Sequence, residues 1–327
     1  MAAVMFRSSL VYMAGIASLF SFSVSAGLRS TPMRIYSQAP YQSTVLTTQL
    51  RSAFTPESSE LFAIGTVGSI WARNEDYQLD YYQNQVFAGI QWALSPRWTA
   101  EFQYQFGWAG NNHLDSLTID FHDFFGLDQN GRDEVDKHQF TIANERYGIQ
   151  VSDFEDEVVV RALHGYLQYR LWQQPNHALA LGASLYYNDV DDYPFTTHSF
   201  EQGLQLNYSY QSGAHAWFST VGVTHRKPDR MILNSLPSKA YSWAVAMGYG
   251  YRFWTRHEVL LEYHGYEGIL DDDSDLSDVT NEVILGYRYY FDRLLVEFSA
   301  TENVFNMDNS TDIAFSLGLR YHFSPSG

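Results

Sequence analysis

The 327-residue chain carries 37 acidic and 20 basic side chains, for a formal net charge of −17, and it has no cysteine. That balance excludes a nucleic-acid-binding protein, which needs a basic face, and the missing thiols exclude a small disulfide-stapled scaffold. Aromatic residues reach 17%, with 24 Tyr, 22 Phe and 8 Trp, a content that suits an exported, strand-rich chain in an outer membrane.

The chain opens MAAVMFRSSLVYMAGIASLFSFSVSA. Arg7 supplies a positive start, Leu10 to Phe20 an apolar core, and Val24-Ser25-Ala26 the small residues of a cleavage site. Residues 1–26 are therefore expected to be a secretory signal removed near Ala26. Its apolar core is shorter than the ~20 residues of a membrane-spanning helix, and no later segment offers a continuous apolar run of that length. Residues 27–60 show no clear alternation apart from Thr44 to Leu50. Pro32, Pro40 and Pro56, with several glutamines, suit an extended segment entering a barrel lumen as a plug, where Arg34 and Arg51 would meet inward glutamates.

From residue 61 onward, large apolar side chains recur at a spacing of two, the period of a strand. In WTAEFQYQFGWAG, Trp98, Ala100, Phe102, Tyr104, Phe106 and Trp108 share one face; in AYSWAVAMGYGYRFW, the outward set runs from Tyr241 to Phe253. Twelve strands are expected at 61–72, 80–94, 98–109, 158–172, 178–188, 200–211, 215–226, 240–253, 257–267, 281–291, 294–302 and 312–323. Their lengths approach the ~9–11 residues of a tilted strand crossing a bilayer. Tight turns at 95–97, 173–176, 212–214, 255–256 and 292–293 alternate with longer polar segments at 188–199, 227–239, 268–280 and 303–311. Short turns at one end and long loops at the other mark an outer-membrane barrel. The fold class is thus all-β: a transmembrane antiparallel β-barrel over 61–323, with a long external loop at 110–157 and a tail at 324–327. Adding crossings at 43–54 and 138–151 gives a fourteen-strand alternative.

The terminal strand, DIAFSLGLRYHF, alternates from Ile313 to Phe323 and resembles the signal that barrel-assembly machinery reads, although Ser324 to Gly327 follow the aromatic. Trp92, Trp98, Trp172, Trp254, Phe291 and Phe323 fall near the tight turns, and Trp71, Tyr187, Tyr241 and Trp243 near the long loops. Two interfacial girdles account for both sets.

Within the long loop the period changes. Leu117, Phe121, Phe124 and Phe125 follow i, i+4, i+7 and i+8, one face of a short amphipathic helix with Asp115 and Gly126 as caps. QFTIANERYGIQV then reads as a short hairpin. In this stretch Asp120, Phe121, His122, Phe125, Gly126, Leu127 and Arg132 fit a D-[FW]-H-x-x-F-G-L…G-R segment. It resembles that of an uncharacterised outer-membrane barrel family, domain-of-unknown-function family 3187. The N-terminal TPMRIYSQAPYQS is similar to the same family's start. The resemblance implies a barrel in the outer membrane of a Gram-negative bacterium and implies no reaction.

Inward charges near the tight turns are Arg170, Arg252, Arg288 and Arg320, with Glu101, Glu258, Glu262 and Glu297. Four of each sign at similar depth are expected to form a nearly neutral belt that either stiffens a narrow barrel or selects a solute. Asp271 to Asp278 hold five aspartates in eight residues. Asp271, Asp273 and Asp275 are weak divalent-cation candidates, because the run lacks the glycine and terminal glutamate of a calcium loop. His164, His264, Ser184, Ser242 and Ser316 point inward, but no motif joins a serine to a histidine and there is no G-x-S-x-G. No cofactor is indicated. The leading expectation is a narrow channel or transporter for small solutes. The alternative is a non-conducting structural or surface-interaction barrel, and the third reading a lipid-modifying enzyme. Outer-membrane lipid and lipopolysaccharide are the expected surroundings.

Overall fold

A computed structural model describes residues 28–112, 114, 139–227, 236–303, 305, 309 and 311–323. The signal segment, the expected loop helix with Asp120, Phe121, His122, Phe125, Gly126, Leu127 and Arg132, and the tail lie outside these residues.

Strand alternation is realised as β1 (Ser59–Arg73), β2 (Tyr77–Ala93) and β3 (Trp98–Ala109), then a hairpin of β4 (Thr141–Asn144) and β5 (Ile149–Ser152). The wall continues with β6 (Val158–Gln173), β7 (His177–Val190), β8 (Thr197–Ser212), β9 (His215–His225) and β10 (Tyr241–Phe253). It ends with β11 (His257–Tyr266), β12 (Thr280–Tyr290), β13 (Leu294–Glu302) and β14 (Thr311–Phe323). All pairings are antiparallel between neighbours, and β1 pairs with both β2 and β14, closing a ring of twelve. Closure leaves no unpaired edge, as a lipid environment demands. Leu185, Leu204, Leu285 and Leu317 are each more than half exposed on the outer face. The residues beside them in sequence, such as Ser184, Ile284 and Ser316, are buried inside.

The fourteen-strand alternative does not hold. Residues 43–54 form no strand. The β4–β5 hairpin does not cross: β4 pairs with Tyr77–Asp80 of β2, beyond the point where β3 ends opposite Gln83. The hairpin therefore rises above the barrel at the long-loop end. One connection departs from the length rule, since only residues 74–76 join β1 to β2 there.

Above the strands the loops build an apolar cap. Tyr81, Phe154 and Phe195 meet at ring distances of 5.5–6.0 Å, and Phe140 packs edge-on against Phe154 at 5.8 Å. Ile142, Val151, Leu236, Ile269 and Leu276 join the same cluster. One girdle residue is corrected: Trp71 is 2% exposed, whereas Tyr187, Tyr241, Trp243, Trp98, Trp172, Trp254 and Phe291 are exposed on the outer surface.

Residues 28–58 fill the lumen. The segment enters at the tight-turn end, where Arg252 Nη1 donates to Leu28 O at 2.6 Å. It climbs to a 3-10 turn at Gln42–Thr44 and returns, so that Thr55 Oγ1 donates to Pro96 O in the β2–β3 turn at 2.9 Å. Apolar contacts recur along the path. Met33 and Ile35 pack on Leu260 and Ile284, Tyr36 on Phe62 and Phe87, Leu46 on Val160 and Tyr186, and Leu50 on Phe218. At the turn, Tyr41 and Val45 merge with the apolar cap.

The wall leaves room by using small residues. A Cβ at Gly222 would lie 2.4 Å from Thr48 Oγ1 and 2.7 Å from Thr48 Cγ2, so the descending leg rests directly on that backbone. Gly222→Val should leave the refolded barrel heat-modifiable on gels yet lift the descending leg, making the chain cleavable by trypsin after Arg51; unchanged protection would contradict this packing.

Candidate functional site

The lumen charges begin with cross-strand register. Arg252 stands opposite Glu258, Glu258 opposite Arg288, and Arg288 opposite Glu297. Because these positions are inward on adjacent strands, the side chains form a ladder of alternating sign around the wall. Arg288 bridges Glu258 at 3.0 Å and Glu297 at 2.8 Å, and Arg320 donates to Glu60 at 2.9 Å and approaches Glu297 at 3.5 Å. Arg252 is looser, 3.9 Å from Glu258. Arg288, Glu258, Glu297, Arg320 and Glu60 are all nearly inaccessible. In such a low-dielectric setting an unmatched charge is expensive, and the alternation removes the mismatch.

The inserted segment completes the set. Arg34, on the ascending leg, donates to Glu60 at 2.8 Å and to Glu101 at 2.7 Å. Arg51, on the descending leg, reaches both oxygens of Glu101 at 2.7 Å. Gln91 Nε2 lies 3.3 Å from the same carboxylate. Both guanidiniums also lie over wall aromatics, Arg34 at 3.8 Å from the Phe62 ring and Arg51 at 4.5 Å from Tyr166. The segment backbone is gripped as well. Arg288 donates to Thr31 O at 2.8 Å and Pro32 O at 3.1 Å, and Met33 N donates to Glu262 at 2.7 Å.

Of the eight belt residues read from the sequence, Arg252, Arg288, Arg320, Glu258 and Glu297 lie in the ladder, and Glu101 continues its line beyond Gln91. Two do not share the depth. Glu262 sits four residues farther along β11 than Glu258, roughly 13 Å along the strand at the usual rise per residue, and its other oxygen lies 3.1 Å from His264. Arg170 stays at the rim, bonded to Gln173. The missed residues are Glu60, Glu201, Glu282 and Arg226. Glu60 falls one residue before the expected start of the first strand. The other three obey the same inward parity but lie toward the long-loop end. Glu201 accepts from Arg226 and from Leu46 N, each at 3.1 Å. Glu282 accepts from Gln38 N at 2.7 Å and from Ala39 N at 3.1 Å near the top of the segment.

The aspartate run is spent on closure of the mouth. Arg146, in the β4–β5 turn, pairs with Asp273 and lies 3.4 Å from Asp76, while Tyr147 Oη donates to Asp272 at 2.8 Å and Asn74 to Asp275 at 2.6 Å. The Arg146 hydrogen bond holds the Asp273 carboxyl below its usual range. Desolvation, then the bond to Asp272, raises the Tyr147 phenol to about 12. Asp271, Asp273 and Asp275 do not converge, and among the described residues no group of three acidic or histidine side chains could hold a metal.

The inward histidines are network members. His164 Nδ1 lies 2.8 Å from Tyr36 Oη and from Gln103 Nε2, and His264 meets Tyr266 and Glu262. Ser242 bonds Thr224 and Arg226, and Ser316 bonds Thr66. A serine–histidine contact unforeseen in the sequence is Ser58 Oγ to His322 Nδ1, 3.2 Å at the tight-turn end. Its ring faces Glu60 at 3.2 Å but makes no hydrogen bond of acceptable geometry there, and Arg34 and Arg320 already occupy that carboxylate.

Replacing Glu101 with Gln leaves the buried Arg51 guanidinium without a carboxylate and Arg34 with Glu60 alone, a loss on the order of 3–5 kcal/mol. Glu101→Gln should therefore loosen the segment and expose Arg34 and Arg51 to trypsin in a barrel that still refolds; protection equal to that of the parent protein would show that the ion pairs do not hold the segment.

Solved structures resemble this chain to different degrees. The COG4313 outer-membrane channel from Pseudomonas putida F1 superposes with a TM-score of 0.52 at 13% identity, covering 82% of this chain and 96% of that one. The NanC porin gives 0.45 at 9% identity, over 80% and 100% of the two chains. The P. putida toluene transporter TodX gives 0.40 at 9%, over 84% and 92%. At 13% identity the likeness to the P. putida F1 channel concerns the fold alone, an outer-membrane β-barrel. No curated protein matches the chain. A family model described as a protein of unknown function (DUF3187) matches residues 8–323, and the chain belongs to that family.

Proposed function

We propose that this protein is a gated outer-membrane channel for small solutes, held closed by residues 28–58. One observation carries the reading: residues 28–58, which belong to no wall strand, occupy the lumen between the inward side chains of the wall. Eight-stranded barrels close their interiors with wall residues, and larger ones have space to spare. Here twelve strands present small inward residues such as Ala216, Gly222 and Ala246 where the segment lies. The segment's polar contacts with the wall can be exchanged for water, so its withdrawal would leave a hydrophilic lumen. In the Gram-negative outer membrane, lipid would cover the outward band, with the tight turns and the segment's entry point in the periplasm and the apolar cap outside. Assembly machinery would read the β14 strand during insertion.

Planar-bilayer conductance tests this, with heat-modifiable gel mobility as proof of a closed barrel. The full chain should be nearly silent, and a variant lacking residues 28–54 should show reproducible steps. A folded but silent deletion variant would reject the channel and favour a structural or surface-interaction barrel. The Ser58–His322 contact supports a second reading, a hydrolase acting at the membrane surface. Labelling of Ser58 by a fluorophosphonate would advance it, and inertness would remove it.

A further inference from the structure

We infer that the Glu60–Glu101 station on the wall is a subsite for a guanidinium- or ammonium-bearing solute, occupied in the closed barrel by the chain's own Arg34 and Arg51. As a role in permeation, this rests on the gated-channel reading. The station has the parts that organic-cation recognition requires. Two buried carboxylates stand beside the flat faces of Phe62 and Tyr166, which are each about 4% exposed. Arg34 bridges Glu60 and Glu101 at 2.8 and 2.7 Å with its guanidinium 3.8 Å from the Phe62 ring, and Arg51 reaches both oxygens of Glu101 at 2.7 Å with its guanidinium 4.5 Å from the Tyr166 ring. A carboxylate with an aromatic face binds a desolvated cation more strongly than either part alone. Gln91 donates to Glu101 and keeps the carboxylate aimed inward without neutralising it.

The surrounding charge favours the same class of ligand. Among the described residues, the wall contributes buried glutamates 60, 101, 201, 258, 262, 282 and 297, against Arg226, Arg288, Arg320 and the less buried Arg252. The two segment arginines offset that acidic excess where it has no wall partner, at Glu101. Once they leave, Glu101 faces the lumen without a cation, and Glu60 retains Arg320 alone. A cavity of about 80 Å3, lined by both legs of the segment and by Gln91, Tyr166 and His322, already lies beside the station. A cation competing for these groups binds only the segment-displaced state, and so shifts the balance toward it.

Argininamide serves as the probe. In detergent, ligand-observed NMR should show saturation transfer from the barrel lacking residues 28–54 to argininamide, strongest at the guanidinium end. Glu101→Gln in that background should abolish it. No transfer, or transfer unchanged by Glu101→Gln, overturns the subsite. Bilayer recordings separate the two ideas. Conduction without argininamide binding overturns the subsite and leaves the channel, whereas binding by a folded but silent barrel overturns the channel and leaves the site. Should the deletion variant fail to fold, Arg51→Ala in the full chain tests the same groups. Millimolar guanidinium, but not sodium at equal ionic strength, should restore its resistance to trypsin; equal effects of the two ions would overturn the subsite.

Discussion

A carboxylate enclosed by a barrel must find a positive or hydrogen-bonding partner, and the layout of this molecule follows from that requirement. The ladder from Arg252 to Glu60 meets it within the wall, strand by strand. Glu101, Glu201, Glu262 and Glu282 meet it largely outside the wall's own strands. Their partners include Arg34, Arg51, backbone N–H groups of the inserted segment, and Arg226 just beyond β9. Apolar contacts such as Leu50 on Phe218 add burial along the path, but they do not select a register. The carboxylates do, because each one accepts from a particular residue of the segment.

The two ends of the barrel are closed by different physics. At the long-loop end, aromatic and aliphatic side chains around Tyr81, Phe154 and Phe195 form a cluster like the core of a soluble domain. Toward the tight turns, closure is polar and made by charge pairs. Tyr41 and Val45 connect the two, since they belong to the segment and to the apolar cluster together. Movement of the segment would thus disturb the cap from below, and the Arg146 and Tyr147 contacts to the aspartate loop tie that cap across the mouth.

Much of this was legible in the sequence. Alternation placed all twelve wall strands within about three residues at each end, because a one-residue slip would turn an entire apolar face toward the lumen. Parity also gave the inward direction of Arg288, Glu258 and Glu297, and the prolines marked residues 32–56 as something other than a strand. Depth was harder. Strand tilt and stagger decide which inward residues share a level, and neither appears in a linear pattern, so Glu262 and Arg170 were grouped with residues they do not meet. Glu60 was missed because it sits at a strand boundary. The hairpin at 141–152 was readable as a hairpin, but its pairing with the start of β2 depends on β3 ending early, a tertiary fact.

The segment enters and leaves through the same mouth, bending back at Gln42–Thr44. In topological terms it is a bight pushed into a ring, not a cord passed through it. A cord can be cleared only by drawing a free end along the whole bore. A bight can be drawn out and pushed back from one side while both of its ends stay where they are, with β1 still paired in the wall. Withdrawal of the segment would therefore require no unthreading, no broken strand and no passage of chain across the membrane.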